Sequence, residues 1–87
     1  MKAVILYHPK SAEARIVEEY VHDFSGRSSK KIELLSLETR DGAATATIYD
    51  IVQYPALMVL DESGQMHKAW QGTSMPLIDE LAGYLVA

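Results

Sequence analysis

Apolar residues in this chain fall into short runs that alternate between two periodicities. Ala3-Val4-Ile5-Leu6-Tyr7 is unbroken and is stopped by His8-Pro9, the pattern of a strand buried on both faces. Val17, Tyr20, Val21 and Phe24 then recur at i, i+3, i+4 and i+7, which predicts a helix over roughly Ser11 to Phe24 with those residues on one face. Ser11 is its expected N-cap, Glu13 suits the first turn, and Ser25-Gly26 is expected to stop it. Arg15 stands at helical contact spacing from Glu18 and Glu19 on the wetter side. Ile32 to Leu37 reads as a second strand. The turn-rich stretch Glu38 to Gly42 opens a short helix reaching about Tyr49, favoured by Ala43, Ala44 and Ala46. Tyr54-Pro55 leads into a third strand, Ala56 to Leu60. Asp61-Glu62-Ser63-Gly64 is a hairpin turn, and Met66 to Trp70 returns as a fourth strand. After Gly72, Pro76 is expected in the first turn of a closing helix, with Ser74 as its cap. Leu77, Ile78, Leu81 and Leu85 are its expected apolar face.

The predicted order is therefore β-α-β-α-β-β-α. The first βαβ unit demands parallel strands, whereas the tight turn makes the last two antiparallel. A four-stranded mixed sheet flanked by three helices satisfies both, so the class is α/β. The 87 residues suffice for one domain, 1–87, and are too few for two.

Composition narrows the function more than the fold. Hydrophobic residues make up 48%, and the mean hydropathy of −0.03 suits a globular core and not a membrane span. The net charge of −4, with acids spread along the chain, provides no nucleic-acid footprint. There is no cysteine, which removes disulfides, zinc–thiolate and iron–sulfur sites, and every cysteine nucleophile. The apolar run after Met1-Lys2 is shorter than a signal peptide's and lacks a cleavage pattern, so a cytoplasmic location is expected. His8, His22 and His67 share no ligand spacing, so no metal is expected. His8 is the one to watch as an acid–base group.

Tyr49-Asp50-Ile51-Val52-Gln53-Tyr54-Pro55-Ala56-Leu57-Met58-Val59-Leu60 resembles the second half of thioredoxins, where a Tyr-x-Ile precedes a cis-proline that opens a buried strand. Gly64 in the hairpin, Gly72 after the last strand and the closing helix extend the likeness. With the first strand and helix it spans nearly the whole chain, at a length similar to the glutaredoxin core. The resemblance implies a thioredoxin-like fold with Pro55 cis. It also implies a Cys-x-x-Cys at the start of the first helix, where the helix dipole stabilises a thiolate. The matching residues are Ser11-Ala12-Glu13-Ala14, without sulfur.

Thiol–disulfide exchange needs an attacking and a resolving thiol, so the resemblance here implies a redox-inactive member. The expected role is a peptide- or protein-binding accessory module. Its groove would comprise Lys10, Ser11, Tyr54, Pro55, Gly72 and Thr73, with the residue before the cis-proline offering its backbone to an extended peptide. The alternative is a transferase-type enzyme in which Ser11 orients the thiol of glutathione. The glutathione-binding Gly-Gly-x-x-Asp pattern is replaced here by Gln71-Gly72-Thr73-Ser74-Met75. Otherwise no cofactor is expected, and the partner is an unidentified protein or peptide. The chain is expected to be a monomer or weak homodimer. The two sheet edges, Ile32–Leu37 and Met66–Trp70, are further surfaces; on the second, Lys68 opposes edge pairing and Trp70 could anchor a dimer.

Overall fold

The structure is a computed structural model that describes residues 1–85. Its elements are β1 (Lys2–Tyr7), α1 (Ala14–Arg27), β2 (Ile32–Ser36), α2 (Arg40–Ile48), β3 (Ala56–Leu60), β4 (Met66–Gln71) and α3 (Ile78–Leu85). The sheet order is β2-β1-β3-β4, with β1 parallel to β2 and antiparallel to β3, and β3 antiparallel to β4. This is the mixed sheet and element order expected from the sequence.

The two central strands divide the core between the sheet's faces. Ala3 and Ile5 of β1 join Leu57 and Val59 of β3 beneath Val17 and Phe24 of α1 and Leu81 and Leu85 of α3. Val4 and Leu6 join Ala56, Met58 and Leu60 beneath Ala46 of α2 and Ile51. All five residues of β3 are buried, which is why its sequence runs apolar without alternation. Burying each large aliphatic side chain contributes about 1.5–3 kcal/mol before entropy is counted.

Three helix boundaries differ from expectation, each for a local reason. Ser11 is not the N-cap of α1; Glu13 holds that position and makes no side-chain capping bond. The Ser11 N–H and hydroxyl both donate to the His8 carbonyl, at 3.0 and 2.7 Å, and the Ala14 N–H donates to the Ser11 carbonyl at 3.2 Å. Successive turns thus consume the chain from His8 to Ala14, and the first i→i−4 bond runs from the Val17 N–H to the Glu13 carbonyl. Nor does Gly26 stop α1. It is not among the glycines with positive φ, and the helix runs on to Arg27, with the extended Ser28 as its C-cap. At the other end of the chain, Ser74 and Pro76 both precede α3. Pro76 is buried and Met75 packs against the core, so the segment is used as filling, and the Leu77 carbonyl receives the first bond from the Leu81 N–H. Leu77 itself is 78% exposed, not part of the apolar face.

The short α2, rich in threonine and interrupted by glycine, is held at both ends. Thr39 Oγ1 accepts the Gly42 N–H at 3.0 Å and donates to the Ser36 carbonyl at 2.7 Å, pinning the helix start to the end of β2. Gly42 is pressed against that same carbonyl: a Cβ there would stand 1.9 Å from Ser36 O. At the C-terminus Asp50 takes φ 55°, the Ile51 N–H donates to Ala46 O and the Asp50 N–H to Thr47 O. Buried Ile51 and Ala46 complete this left-handed cap. Beyond it, the Tyr49 hydroxyl donates to the Gly64 carbonyl, tying α2 to the β3–β4 hairpin. That hairpin is organised by the Asp61 carboxylate, which accepts from the Ser63 hydroxyl, His67 Nε2 and the Ser63 and Gln65 N–H groups. These bonds, that of Ser63 first, hold its pKa well below the usual carboxylate range.

Two consequences can be measured. Gly42→Ala forces backbone against backbone and should cost about 2–3 kcal/mol; an unchanged urea midpoint would refute this packing. Tyr20 places its hydroxyl among buried atoms without a hydrogen-bond partner, and burial, helped by Glu80, pushes its pKa from 10.0 to about 12. The folded state then holds this proton more tightly than the unfolded state. The stability it represents is complete below pH 10 and falls as pH rises towards 12. Denaturation across pH 9 to 12 should show a shallower decline in Tyr20→Phe than in the parent chain.

Candidate functional site

Register brings the candidate residues together. Leu6 of β1 stands opposite Ala56 of β3, so the end of one strand and the start of the other share one end of the sheet. His8 and the turn into α1 continue from β1, and Tyr54-Pro55, joined by a cis peptide bond, leads into β3. A small hollow of about 30 Å³ forms where they meet, lined by Tyr7, His8, Ser11, Glu13, Tyr54 and Pro55. The His8 and Tyr54 rings meet edge to face with centroids 5.6 Å apart. Both rings also line a larger hollow of about 440 Å³ over α2, together with Leu37, Ala46, Thr47, Asp50 and Ile51. The aromatic pair is therefore the wall between two depressions.

The backbone around Tyr54 is fixed from three sides. The Tyr54 hydroxyl donates to the Ile51 carbonyl at 2.9 Å. The Gly72 N–H donates to the Pro55 carbonyl at 2.9 Å, extending the β3–β4 ladder by one bond. Gly72 makes this turn with φ 90°, where a side chain would be strained. Gln71 Oε1 accepts the N–H groups of both Val52 and Gln53, at 3.2 and 3.1 Å. Two facing N–H donors require the amide oxygen there, not its nitrogen. Among the described residues, no hydrogen bond occupies the N–H or carbonyl of Tyr54.

Of the residues singled out in the sequence, Ser11, Tyr54 and Pro55 converge on the small hollow, and Gly72 joins them through Pro55. Lys10 and Thr73 are exposed and line neither hollow. The Ser11 proton is directed at the His8 carbonyl. Glu13 lies where the helix begins, so a carboxylate faces the positive end of the helix dipole. Sequence reasoning missed Gln71 and Asp50. A glutamine at a strand end carries no motif, and the left-handed conformation of Asp50 showed only as an acid after a short helix.

His67 is bound to Asp61 in the hairpin, and His22 lies on α1. Among the described residues, no three His, Asp or Glu side chains gather as a metal site requires, and no helix is long and apolar enough to cross a membrane. A wider concavity of about 570 Å³ exists at the other end of β1, lined by Lys2, Leu35, Ile48, Tyr49 and Leu60 among others. It is larger than either hollow beside Tyr54.

No protein-family model and no curated protein sequence matches this chain. Solved structures do. Thioredoxin 1 from the thermophilic eubacterium Thermosipho africanus TCF52B superposes with a TM-score of 0.68 at 13% identity, over 98% of this chain and 90% of that one. A chain of the complex of ferredoxin:thioredoxin reductase with thioredoxin f2 gives a TM-score of 0.64 at 16% identity, over 97% of this chain and 74% of that one. The fold is thioredoxin-like. With no cysteine anywhere in its sequence, this chain has no thiol to exchange.

The Gln71 clamp is testable. Gln71→Ala should speed amide exchange at Val52 and Gln53 at least tenfold. Global stability should fall by no more than about 1.5 kcal/mol, because the freed N–H groups are solvated. Unchanged exchange at both amides would show that the loop does not depend on the clamp.

Proposed function

We propose that this thioredoxin-like domain is a redox-inactive binding module that takes an extended polypeptide segment across the Tyr54-Pro55 groove. The observation that carries the reading is the unpaired N–H and carbonyl of Tyr54, set in a backbone held by Gln71, Gly72 and Ile51. A strand laid beside Tyr54 gains two main-chain bonds without displacing any internal one, a short form of β-augmentation. The depressions on either side of the His8–Tyr54 wall would receive alternate side chains. Because the loop is already ordered, little conformational entropy is lost on binding. The thiol-orienting alternative is not advanced: the Ser11 hydroxyl already donates to His8, and the glutathione pattern after β4 is missing.

A ¹⁵N titration with a mixed extended-peptide library should move resonances of Ser11–Glu13, Tyr54–Ala56 and Gly72. Tyr54→Ala combined with Ser11→Arg, which removes the wall and fills the small hollow, should weaken binding at least tenfold. Peptide shifts confined to other surfaces would overturn the reading. Shifts near Ser11 produced by millimolar glutathione and by no peptide would put the transferase alternative in its place.

A further inference from the structure

The sheet face beneath α2 is covered over only part of its length. Register sets Lys2 beside Leu60 there, then Glu33, Val4 and Met58 in the next row, then Leu35, Leu6 and Ala56. With nine residues, α2 supplies about 13 Å of helix. The part of the face it leaves open is the hollow of about 570 Å³. Val4, Leu35 and Leu60 make its floor, and Ile48 and Tyr49, from the end of α2, make its wall. The Tyr49 ring is fixed there by the bond from its hydroxyl to the Gly64 carbonyl. Ile48 is 73% exposed, an apolar wall that folding has left open to solvent. The volume falls within the range of about 300–1,000 Å³ usual for sites of small organic ligands.

Charge around this hollow is unbalanced. Lys2 brings one ammonium, whereas Glu33, Asp61 and Glu62 bring three carboxylates. The Asp61 carboxylate is spent on its own hairpin, where it accepts from Ser63, Gln65 and His67. Glu33 and Glu62 are exposed, and among the described residues neither forms an ion pair with Lys2 or with any other cation. Lys30 and Lys31, close to Glu33 in sequence, line a different depression with Ser25, Ser28 and Ser29.

An occupant thus meets apolar surface below and an excess of negative charge at the mouth. An anion is repelled, and a neutral apolar molecule gains nothing from the carboxylates. A molecule with an apolar body and a protonated amine matches both features. The Tyr49 ring is a further attraction for a cation.

We infer that this hollow is a binding site for a small amphipathic cation, with its apolar body on Val4, Leu35, Leu60 and Ile48 and its ammonium at Glu33 and Glu62. The site lies at the opposite end of β1 from the Tyr54-Pro55 groove and shares no lining residue with the hollows there.

Hexylammonium, hexan-1-ol and hexanoate share one apolar body and differ in the charge of the head, so they separate the two features. In ¹⁵N titrations at neutral pH and low salt, hexylammonium should move the amides of Glu33, Ile48, Tyr49 and Glu62. It should bind about threefold more tightly than hexanol, the scale of exposed charge pairs, and hexanoate should bind most weakly. Glu33→Gln with Glu62→Gln should abolish the preference for the ammonium and leave hexanol binding unchanged. Glu18→Gln with Glu19→Gln, the same change of charge on α1, should retain that preference. Ile48→Ser should weaken hexylammonium and hexanol alike. Equal affinity for ammonium and alcohol in the parent chain would overturn the inference, because the carboxylates would then take no part. Equal loss in the two double variants would overturn it too, by tracing the attraction to net charge alone. So would shifts confined to other surfaces, or none.

Discussion

Everything in this molecule hangs on the antiparallel pairing of β1 with β3. These strands lie at the centre of the sheet, and each supplies side chains to both cores at once. Their backbone groups are bonded on both edges and their side chains are buried on both faces. No other pair of elements has that double duty. The pairing also decides where the candidate site lies, because it brings the exit of β1 and the entry of β3 to one end of the sheet. The helices then cover faces that the strands have already defined.

Around this pair, the chain spends its polar groups on fixing one irregular stretch, Tyr49 to Pro55. The left-handed cap at Asp50 ends α2 and aims the chain back towards the sheet. Gln71 accepts two of its amides, the Tyr54 hydroxyl closes a loop onto Ile51, and Gly72 binds Pro55. The stretch thus has definite geometry without regular secondary structure. Its neighbours include half-buried Ser11 and Glu13 and the His8–Tyr54 aromatic pair, and the sequence holds no cysteine.

Strands and topology were legible in the sequence because their signals are intrinsic. An apolar run with no alternation, as at Ala3–Tyr7 and Ala56–Leu60, has few other uses in a short chain, and the Asp61–Gly64 turn leaves little choice of direction. Helix ends were less legible, since capping residues are judged by type while the structure uses them by geometry. Ser11 and Ser74 have the right chemistry for caps, yet a turn before α1 and core filling before α3 moved both helix starts downstream. At the site, the aromatic before Pro55 was readable from local pattern. The contribution of Gln71 was not, for it depends on contacts across 18 and 19 positions that no local pattern encodes. Lys10 and Thr73 adjoin Ser11 and Gly72 in sequence but line neither hollow.

The turn from His8 to Glu13 sits outside both cores: its bonds are local, and burial resumes only at Ala14. Folding therefore places almost no demand on which side chains occupy Ser11, Ala12 and Glu13. Seen as a lineage, such an architecture separates heredity of shape from heredity of chemistry. Side chains at this corner can change by drift while the scaffold, and the geometry of the proline loop beside it, stays intact.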